Sequence, residues 1–306
     1  MIAKRFQFLI VQSLENVFSG RGAAAILSAF GALWMVVEIT DYFAKDSQAI
    51  VWVHEHFGMF LLSGLGFTIW RCRPQRKIAL KLKDRDVTIT LAIGDLFSFK
   101  GAVVIGSNST FDVSNKVISG ESIQGQFTRK YYAGDGQLEA EVDAQLRELT
   151  HENLEGTRLG KSKRYPIGSV VRLRPKDRTG YLLAIADINE HGTSSGSFEK
   201  LKQALAEFWV FVGSRGEKEP LVIPVLGTGF TRLPQSRQLV VQEIIKSFVV
   251  ACAERVFCDN LTIVLREADV LEKEINFSSL GEYLKYVCLY TQFSDRSADR
   301  VGTPEA

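Results

Sequence analysis

Little in this chain suits a disulfide or zinc framework. Its 306 residues include four cysteines, Cys72, Cys252, Cys258 and Cys288, none in a CxxC pair or near a histidine cluster. Such cysteines read as buried or free thiols in a reducing compartment. The formal net charge is only +2, so nothing in the charge balance calls for a nucleic acid, and none is expected. Several nucleotide and nucleophile signatures are missing. No glycine loop runs into GK[ST], which excludes a Walker A site, and no GxGxxG follows a strand, which counts against a standard dinucleotide fold. No serine sits in a GxSxG setting, and the His54-Glu55-His56 triplet lacks the four-residue histidine spacing of zinc proteases.

Apolar residues are present in quantity and are concentrated in the first quarter. Residues 22 to 40 carry one charge, Glu38, near their end, and residues 50 to 70 form a second apolar segment with His54, Glu55 and His56 in its first turns. About 20 apolar residues suffice for a helix to cross a bilayer. Lys4, Arg5 and Arg21 precede the pair and Arg71, Arg73, Arg76, Lys77, Lys81 and Lys83 follow it, whereas the link holds only Lys45. That asymmetry predicts a transmembrane hairpin with both termini cytoplasmic, and Trp34, Trp52 and Trp70 suit the interfaces. The first segment is long for a secretory signal and shows no clear cleavage site. A buried hairpin of a soluble protein is the competing reading, since small residues such as Ala24, Ala25 and Gly31 suit close helix packing in either setting. The basic flank, Arg71 to Lys83, also suits anionic lipid headgroups.

The character changes near Lys81. Six β-branched or apolar runs read as strands, DVTITLAIGD, GAVVIGSN, PIGSVVRLR, YLLAIADI, EPLVIPVL and NLTIVLRE. Helical spacing marks Leu138, Val142, Leu146 and Leu149, the segment from Ser197, the segment Gln238 to Cys252, and LGEYLKYVCLYTQF. Alternating strands and helices predict an α/β sheet covered by helices, whose ligands bind beyond the carboxyl ends of its strands. The organisation expected is a hairpin segment over 1–80, a ligand-binding domain over 81–293 and a disordered polar tail over 294–306.

Three turn-rich loops fall at strand ends: GDLFSFKG, IGSNSTFD and LGTGFTRLP. In the last, Gly227 and Gly229 let a backbone approach an anion, Thr228 and Thr231 add hydroxyl donors, Arg232 adds charge, and a helix follows. A tight turn explains the same residues. Asp95 is either a solvated turn carboxylate or an acceptor for an exocyclic amine such as adenine's. Asn108 and Asp112 are either Asx-turn residues or partners for ribose hydroxyls. SIQGQFTRKYY is a further glycine-containing stretch.

Taken together, the GD-x-F turn, the strand ending in Asn108, the glycine-containing SIQGQF before a helix, and VIPVLGTGF before another resemble the macro domain, an ADP-ribose-binding α/β module. With YPIG, LLAIADINEHG and the two apolar segments, they are similar to the macro-like domain of membrane-anchored effectors of the bacterial Thoeris antiphage system. The resemblance implies a three-layer α/β/α macro-like domain behind the hairpin. It implies that Asp95 contacts adenine and Asn108 the distal ribose. Gly227, Thr228, Gly229 and Phe230 would wrap the diphosphate and distal ribose, and Ser122, Ile123, Gln124 and Gly125 would form the other phosphate loop. It further implies an effector at the inner membrane that senses a nucleotide second messenger, ADP-ribose or a modified ADP-ribose, made by a TIR-domain partner. The effector would then oligomerise and disrupt the bilayer, with no cofactor. Where many macro domains have Asn-Ala-Ala-Asn, this chain has Ile105, Gly106, Ser107 and Asn108, and its glycine cluster is reduced to SIQGQF. Those departures favour sensing over catalysis. The alternatives are a membrane-tethered ADP-ribosyl hydrolase using Asn108 and Asp112, and an interaction module that binds no nucleotide.

Overall fold

The computed structural model describes residues 13, 17–18, 20–43, 52, 55–157, 159–176, 178–189, 191, 193–227 and 233–291. The chain forms two compact units that meet between Arg76 and Lys77.

In the first unit, helix α1 spans Gly20–Phe43 and α2 spans Phe57–Arg71. Gly64 of α2 lies against Phe30 and Leu33 of α1, a close approach that its missing side chain permits. Beyond that contact, Leu27, Trp34, Met35, Val36 and Ile39 of α1 are exposed. Ser28, Thr40 and Thr68 each donate their hydroxyl to the carbonyl four residues back, so none needs water. Among the described residues one helix is long and apolar enough to cross a membrane, Gly22–Phe43. At 15 residues α2 spans roughly 22 Å as described, short of a bilayer core of about 30 Å. The expected second span thus has one described helix that is too short by itself, and His54 lies outside the described residues. Just before α2, His56 stacks on Trp52 with ring centres 4.6 Å apart, and its Nδ1 lies 2.9 Å from the Trp52 carbonyl.

The second unit is a mixed α/β domain. Its strands are β1 Lys77–Lys81, β2 Thr88–Ile93, β3 Ala102–Asn108, β4 Glu152–Asn153, β5 Lys163–Arg164, β6 Val170–Leu173, β7 Gly180–Ile188, β8 Ser194–Ser195, β9 Leu221–Pro224 and β10 Asn260–Leu265. The main sheet runs β1-β2-β10-β9-β3-β7-β6, with β8 pairing β7, and β4 and β5 form a separate hairpin. The five strands β2, β10, β9, β3 and β7 are parallel; β1 and β6 join antiparallel at the edges.

Helices cover both faces, which is why the central strands read as unbroken apolar runs. On one face α3 (Ile123–Tyr131) and α4 (Asp135–Leu146) place Phe127, Leu138, Val142 and Leu146 on Val103, Ile105, Leu182 and Val264. On the other, α5 (Phe198–Arg215) sets Phe208 against Tyr181 of β7, and its Trp209 meets Phe248 of α6 (Arg237–Glu254). A short α7 (Glu267–Leu271) precedes α8 (Phe277–Tyr290), whose Gly281 rests on Ile78 of β1. The expected three-layer α/β/α arrangement is therefore present.

Two segments differ from expectation. KIALK is an edge strand, although its lysines read as part of the basic flank; Ile78 and Leu80 alternate inward while Lys77, Ala79 and Lys81 face out. SIQGQFTRKYY opens helix α3 instead of forming an open loop. Ser122 caps it by accepting from Gly125 N at 3.0 Å. The tail, 294–306, lies outside the described residues.

All four cysteines are free and buried. Burial pushes the Cys252 thiol up to about 12 and Cys288 up to about 11, and raises Cys258 further, so these thiols pack as apolar groups.

The exits of β3 and β7 are tied by charge. Asp187 of β7 accepts from the Ser109 hydroxyl at 2.9 Å and from Lys200 Nζ at 2.6 Å, with Arg164 Nε 3.9 Å away. Burial alone would raise the Asp187 carboxyl; the hydrogen bonds from Lys200 and Ser109, with the charges of Lys200 and Arg164, outweigh it and hold the group below the ordinary carboxylate range.

Two predictions follow from this packing. Phe127→Ala removes a fully buried ring that touches Phe97, Tyr131 and Tyr132. It should cost about 3–5 kcal/mol, read as a lowered urea midpoint. For Asp187 the folded-state value lies below the unfolded one of about 3.9. Its contribution is therefore complete above that value and is lost as pH falls through the folded one. Asp187→Asn should lower the midpoint at pH 7, and the gap from wild type should close on acidification. A gap independent of pH would contradict the assignment.

Candidate functional site

The carboxyl ends of β2, β10, β9, β3 and β7 lie on one edge of the sheet, and the candidate residues sit in the loops that leave it. Adjacent strands stand about 4.8 Å apart, so from the β2 exit to the β3 exit is roughly 14 Å.

At the β2 exit, Gly94 N donates to Leu265 O at 3.0 Å, which carries the β2–β10 pairing one residue past the strand. Asp95 then opens a turn of 3₁₀ helix, Leu96–Ser98, and its Oδ1 accepts from Phe97 N at 3.1 Å. The residue is exposed, so the carboxylate faces outward with acceptor capacity remaining.

At the β3 exit a bulge shifts the register, with Ser107 opposite Ala184 but Asn108 opposite Ala186. Bulges of this kind re-aim side chains beside functional sites. Asn108 Oδ1 accepts from Thr110 Oγ1 and from Asp112 N, each at 3.1 Å, while its Nδ2 donates to Asp112 Oδ2 at 3.1 Å. Thr110 also donates to Asp112 Oδ2, and Lys161 N donates to Asp112 Oδ1 at 2.7 Å. Asp112 is 2% exposed and Asn108 5%. Both polar ends of Asp112 are therefore engaged inside the protein, and its carboxylate anchors the strand exit to the β4–β5 hairpin connection. Beside them, the buried Ser107 hydroxyl has no partner among the described residues.

The start of α3 is held against this exit. Gln124 Nε2 donates to Asp112 O at 2.7 Å and Gln124 is buried, as is Gly125. A Cβ on Gly125 would stand 2.5 Å from Ser119 O and 2.7 Å from Gly120 Cα, so glycine is required for the helix to start here. Ile123 packs partly buried on the core. Gln124 and Gly125 thus face inward, while Ser122 and Ile123 are half-buried, and the Ser122 and Gly125 N–H groups donate to Ser119 O and Ser122 Oγ.

At the β9 exit, Gly227 has φ +71, and a Cβ there would lie 2.4 Å from Leu233 Cδ1. Its carbonyl accepts from Leu233 N at 3.2 Å, closing the ends of the connection to α6. The turn itself therefore demands glycine at 227, whatever the loop holds. Thr228, Gly229, Phe230, Thr231 and Arg232 lie outside the described residues. The structure thus bonds Asn108, Asp112 and Gln124 together, sets Ser122, Ile123 and Gly125 beside Gln124 at the start of α3, and places Asp95 and Gly227 at exits on the same edge.

Sequence reasoning missed two groups on this edge. One is the Ser109–Asp187–Lys200 bridge. The other is Arg266 with Asp269 after β10, a buried carboxylate that also takes Arg237. Partners separated by up to 78 residues carry no spacing signal; the position of Arg266 at a strand end was the one available cue. Among the described residues no three His, Cys, Asp or Glu side chains gather as a metal site.

Comparison with known proteins adds the family. The chain is 27% identical to the Thoeris protein ThsA of Bacillus amyloliquefaciens (strain Y2) over 221 residues, 68% of this chain and 71% of that protein. Among solved structures, it is similar to the Oceanobacillus iheyensis macrodomain with ADP, with 16% identity, a TM-score of 0.46, and coverage of 70% of this chain and 98% of that one. It is also similar to a Trypanosoma brucei macrodomain in complex with ADP, with 12% identity, a TM-score of 0.42, and coverage of 64% and 68%. The family model for the macro domain of Thoeris protein ThsA matches residues 89–266, more than half of the chain, and spans every strand exit described above. The chain belongs to the ThsA macro domain family.

Proposed function

We propose that this protein is a membrane-anchored effector of Thoeris antiphage defence whose macro domain senses an ADP-ribose-type nucleotide. The observation that carries the reading is the spacing of candidate contacts along one edge. An outward carboxylate at Asp95, the glycine turn at Gly227 and the polar cluster at Asn108 follow one another over roughly 14 Å. Asp95 takes the exocyclic amine of adenine. The loop from Gly227 through Arg232 and the start of α3, Ser122 to Gly125, take the diphosphate. Asn108 borders the distal ribose, with Asp112 holding its side chain in place.

The protein binds this ligand without turning it over. Asp112 gives both carboxylate oxygens to internal donors, which supports a positioning role over that of a base. The ligand is ADP-ribose or a modified ADP-ribose, supplied by a TIR-domain partner acting on NAD. The anchor is a hairpin in the inner membrane with both termini cytoplasmic. Two helices per chain line no wide pore, so bilayer disruption requires a homo-oligomer. Ligand drives that assembly only as far as it binds the assembled state more tightly.

The test is calorimetric titration of the detergent-solubilised protein with ADP-ribose, its base-linked conjugates and NAD, with products assayed in parallel. Saturable binding without product is expected. Asp95→Ala should weaken it about tenfold, the worth of one hydrogen bond to a charged group. Turnover of a conjugate would favour a hydrolase, and no binding to any of these compounds would favour an interaction module. At Gly227, alanine and aspartate perturb the turn alike, but only aspartate places a charge beside a phosphate. Gly227→Asp should therefore abolish ADP-ribose binding where Gly227→Ala only weakens it, with α1 still inserted in both. Equal losses would remove the phosphate from that loop.

A further inference from the structure

The strand register places one cation at the centre of the edge. Leu265 pairs with Ile93 on one side of β10, and Val264 pairs with Pro224 on the other. Arg266 is therefore level with Gly94, one residue before Asp95, and on its other side β9 leaves the ladder at Pro224, three residues before Gly227. It stands one strand step, about 4.8 Å, from each of the two exits.

Its guanidinium is held from behind. Nε lies 3.1 and 3.2 Å from the two Asp269 oxygens and Nη2 lies 2.6 Å from Oδ1. Asp269 is fully buried and is fixed in turn by Arg237 at the start of α6, which also pairs with Glu274. Backbone bonds lock the same residue, from Asp269 N to Arg266 O and from Ile275 N to Asp269 O. The Arg266 side chain nevertheless remains 60% exposed, and Nη1 has no partner among the described residues. A planar donor clamped along one side, with its remaining donors on the open side, is set up to bind an anion at low entropic cost.

We propose that Arg266 is a phosphate-contacting residue of this site, with Nη1 donating to the part of the nucleotide that lies between Asp95 and Gly227. The proposal rests on the nucleotide reading above. It assigns the central charged contact to a side chain, where the loops offer backbone. Asp269 acts as its positioning residue, and through Arg237 the same carboxylate ties this contact to the first residue of α6.

The test is titration of the solubilised full-length protein with ADP-ribose, ADP and adenosine, each at low and high salt, for wild type, Arg266→Gln and Arg266→Lys. Arg266→Gln should weaken ADP and ADP-ribose roughly 10- to 100-fold. It should also reduce the salt sensitivity of ADP binding, because one screened charge pair is gone. Arg266→Lys keeps the charge but not the fork, and should fall between, with salt sensitivity retained. Adenosine binding should change less than twofold. Losses of equal size for adenosine and ADP, or an ADP salt dependence unchanged in Arg266→Gln, would overturn the proposal while leaving the nucleotide site standing. A wild-type protein that binds none of the three would overturn the nucleotide reading and this proposal with it.

Discussion

Five parallel strands end on one edge, and everything proposed for this domain depends on that constraint. Parallel pairing sends each chain segment out of the sheet at the same side, and each must turn there before a helix or loop returns it. The exits of β2, β10, β9, β3 and β7 thus follow one another at about 4.8 Å per strand although they span residues 93 to 265. The core makes this possible. Strands buried on both faces fix the register, and the register fixes which exit residue stands beside which. Asp95, Arg266, Gly227 and Asn108 form a row because Ile93, Leu265, Pro224 and Val103 are held in ladders, not because any two of them touch.

Much of this was legible in the residues. Central strands such as GAVVIGSN and YLLAIADI are short apolar runs bounded by turn residues, the pattern that two-sided burial produces. Leu138, Val142 and Leu146 recur at helical spacing and are all buried on one face of α4. The helical segment from Ser197 does begin there, and Ser197 caps it by accepting from Lys200 N at 3.2 Å. The less legible elements have identifiable causes. Strand β1 carries lysines, which serve an exposed edge and equally a membrane flank, so the same charges support two readings. Helix α3 hides behind Gly125, whose usual meaning is a loop; only the close approach of Ser119 and Gly120 explains a glycine in its first turn. The candidate site was legible as a set of strand ends, but its internal bonding was not. Lys161 meets Asp112 across 49 positions and Lys200 reaches Asp187 through the fold, and neither contact leaves a spacing in the chain.

The first unit poses a different physical demand. Helix α1 leaves Leu27, Trp34, Met35, Val36 and Ile39 exposed, while its hydroxyls are satisfied within the helix. Such a surface is stable only against an apolar medium or another apolar surface. A bilayer meets the demand for α1 by length. For α2 the described 15 residues do not suffice alone, and helix packing at Gly64 offers what length does not. Small-residue contacts of this kind associate helices where no hydrophobic driving force exists between them. This supports a hairpin anchor in the proposed function.

The choice between sensing and catalysis turns on what Asn108 and Asp112 are free to do. A catalytic carboxylate needs an oxygen directed at water or substrate. Asp112 is buried and both its oxygens accept from inside the protein: Oδ2 takes the Asn108 amide and the Thr110 hydroxyl, and Oδ1 takes Lys161 N. Withdrawing it would release the β3 exit, the hairpin connection and, through its backbone carbonyl, Gln124 of α3 together. A residue so placed is suited to transmit the occupancy of the site. If a ligand group draws on the Asn108 amide, the same carboxylate must readjust, and three segments feel the change. A polar cluster with several internal partners is costly to disturb and has few alternative arrangements. Those are the properties of an element that converts binding into a discrete rearrangement, and they favour a sensor over a hydrolase in this fold.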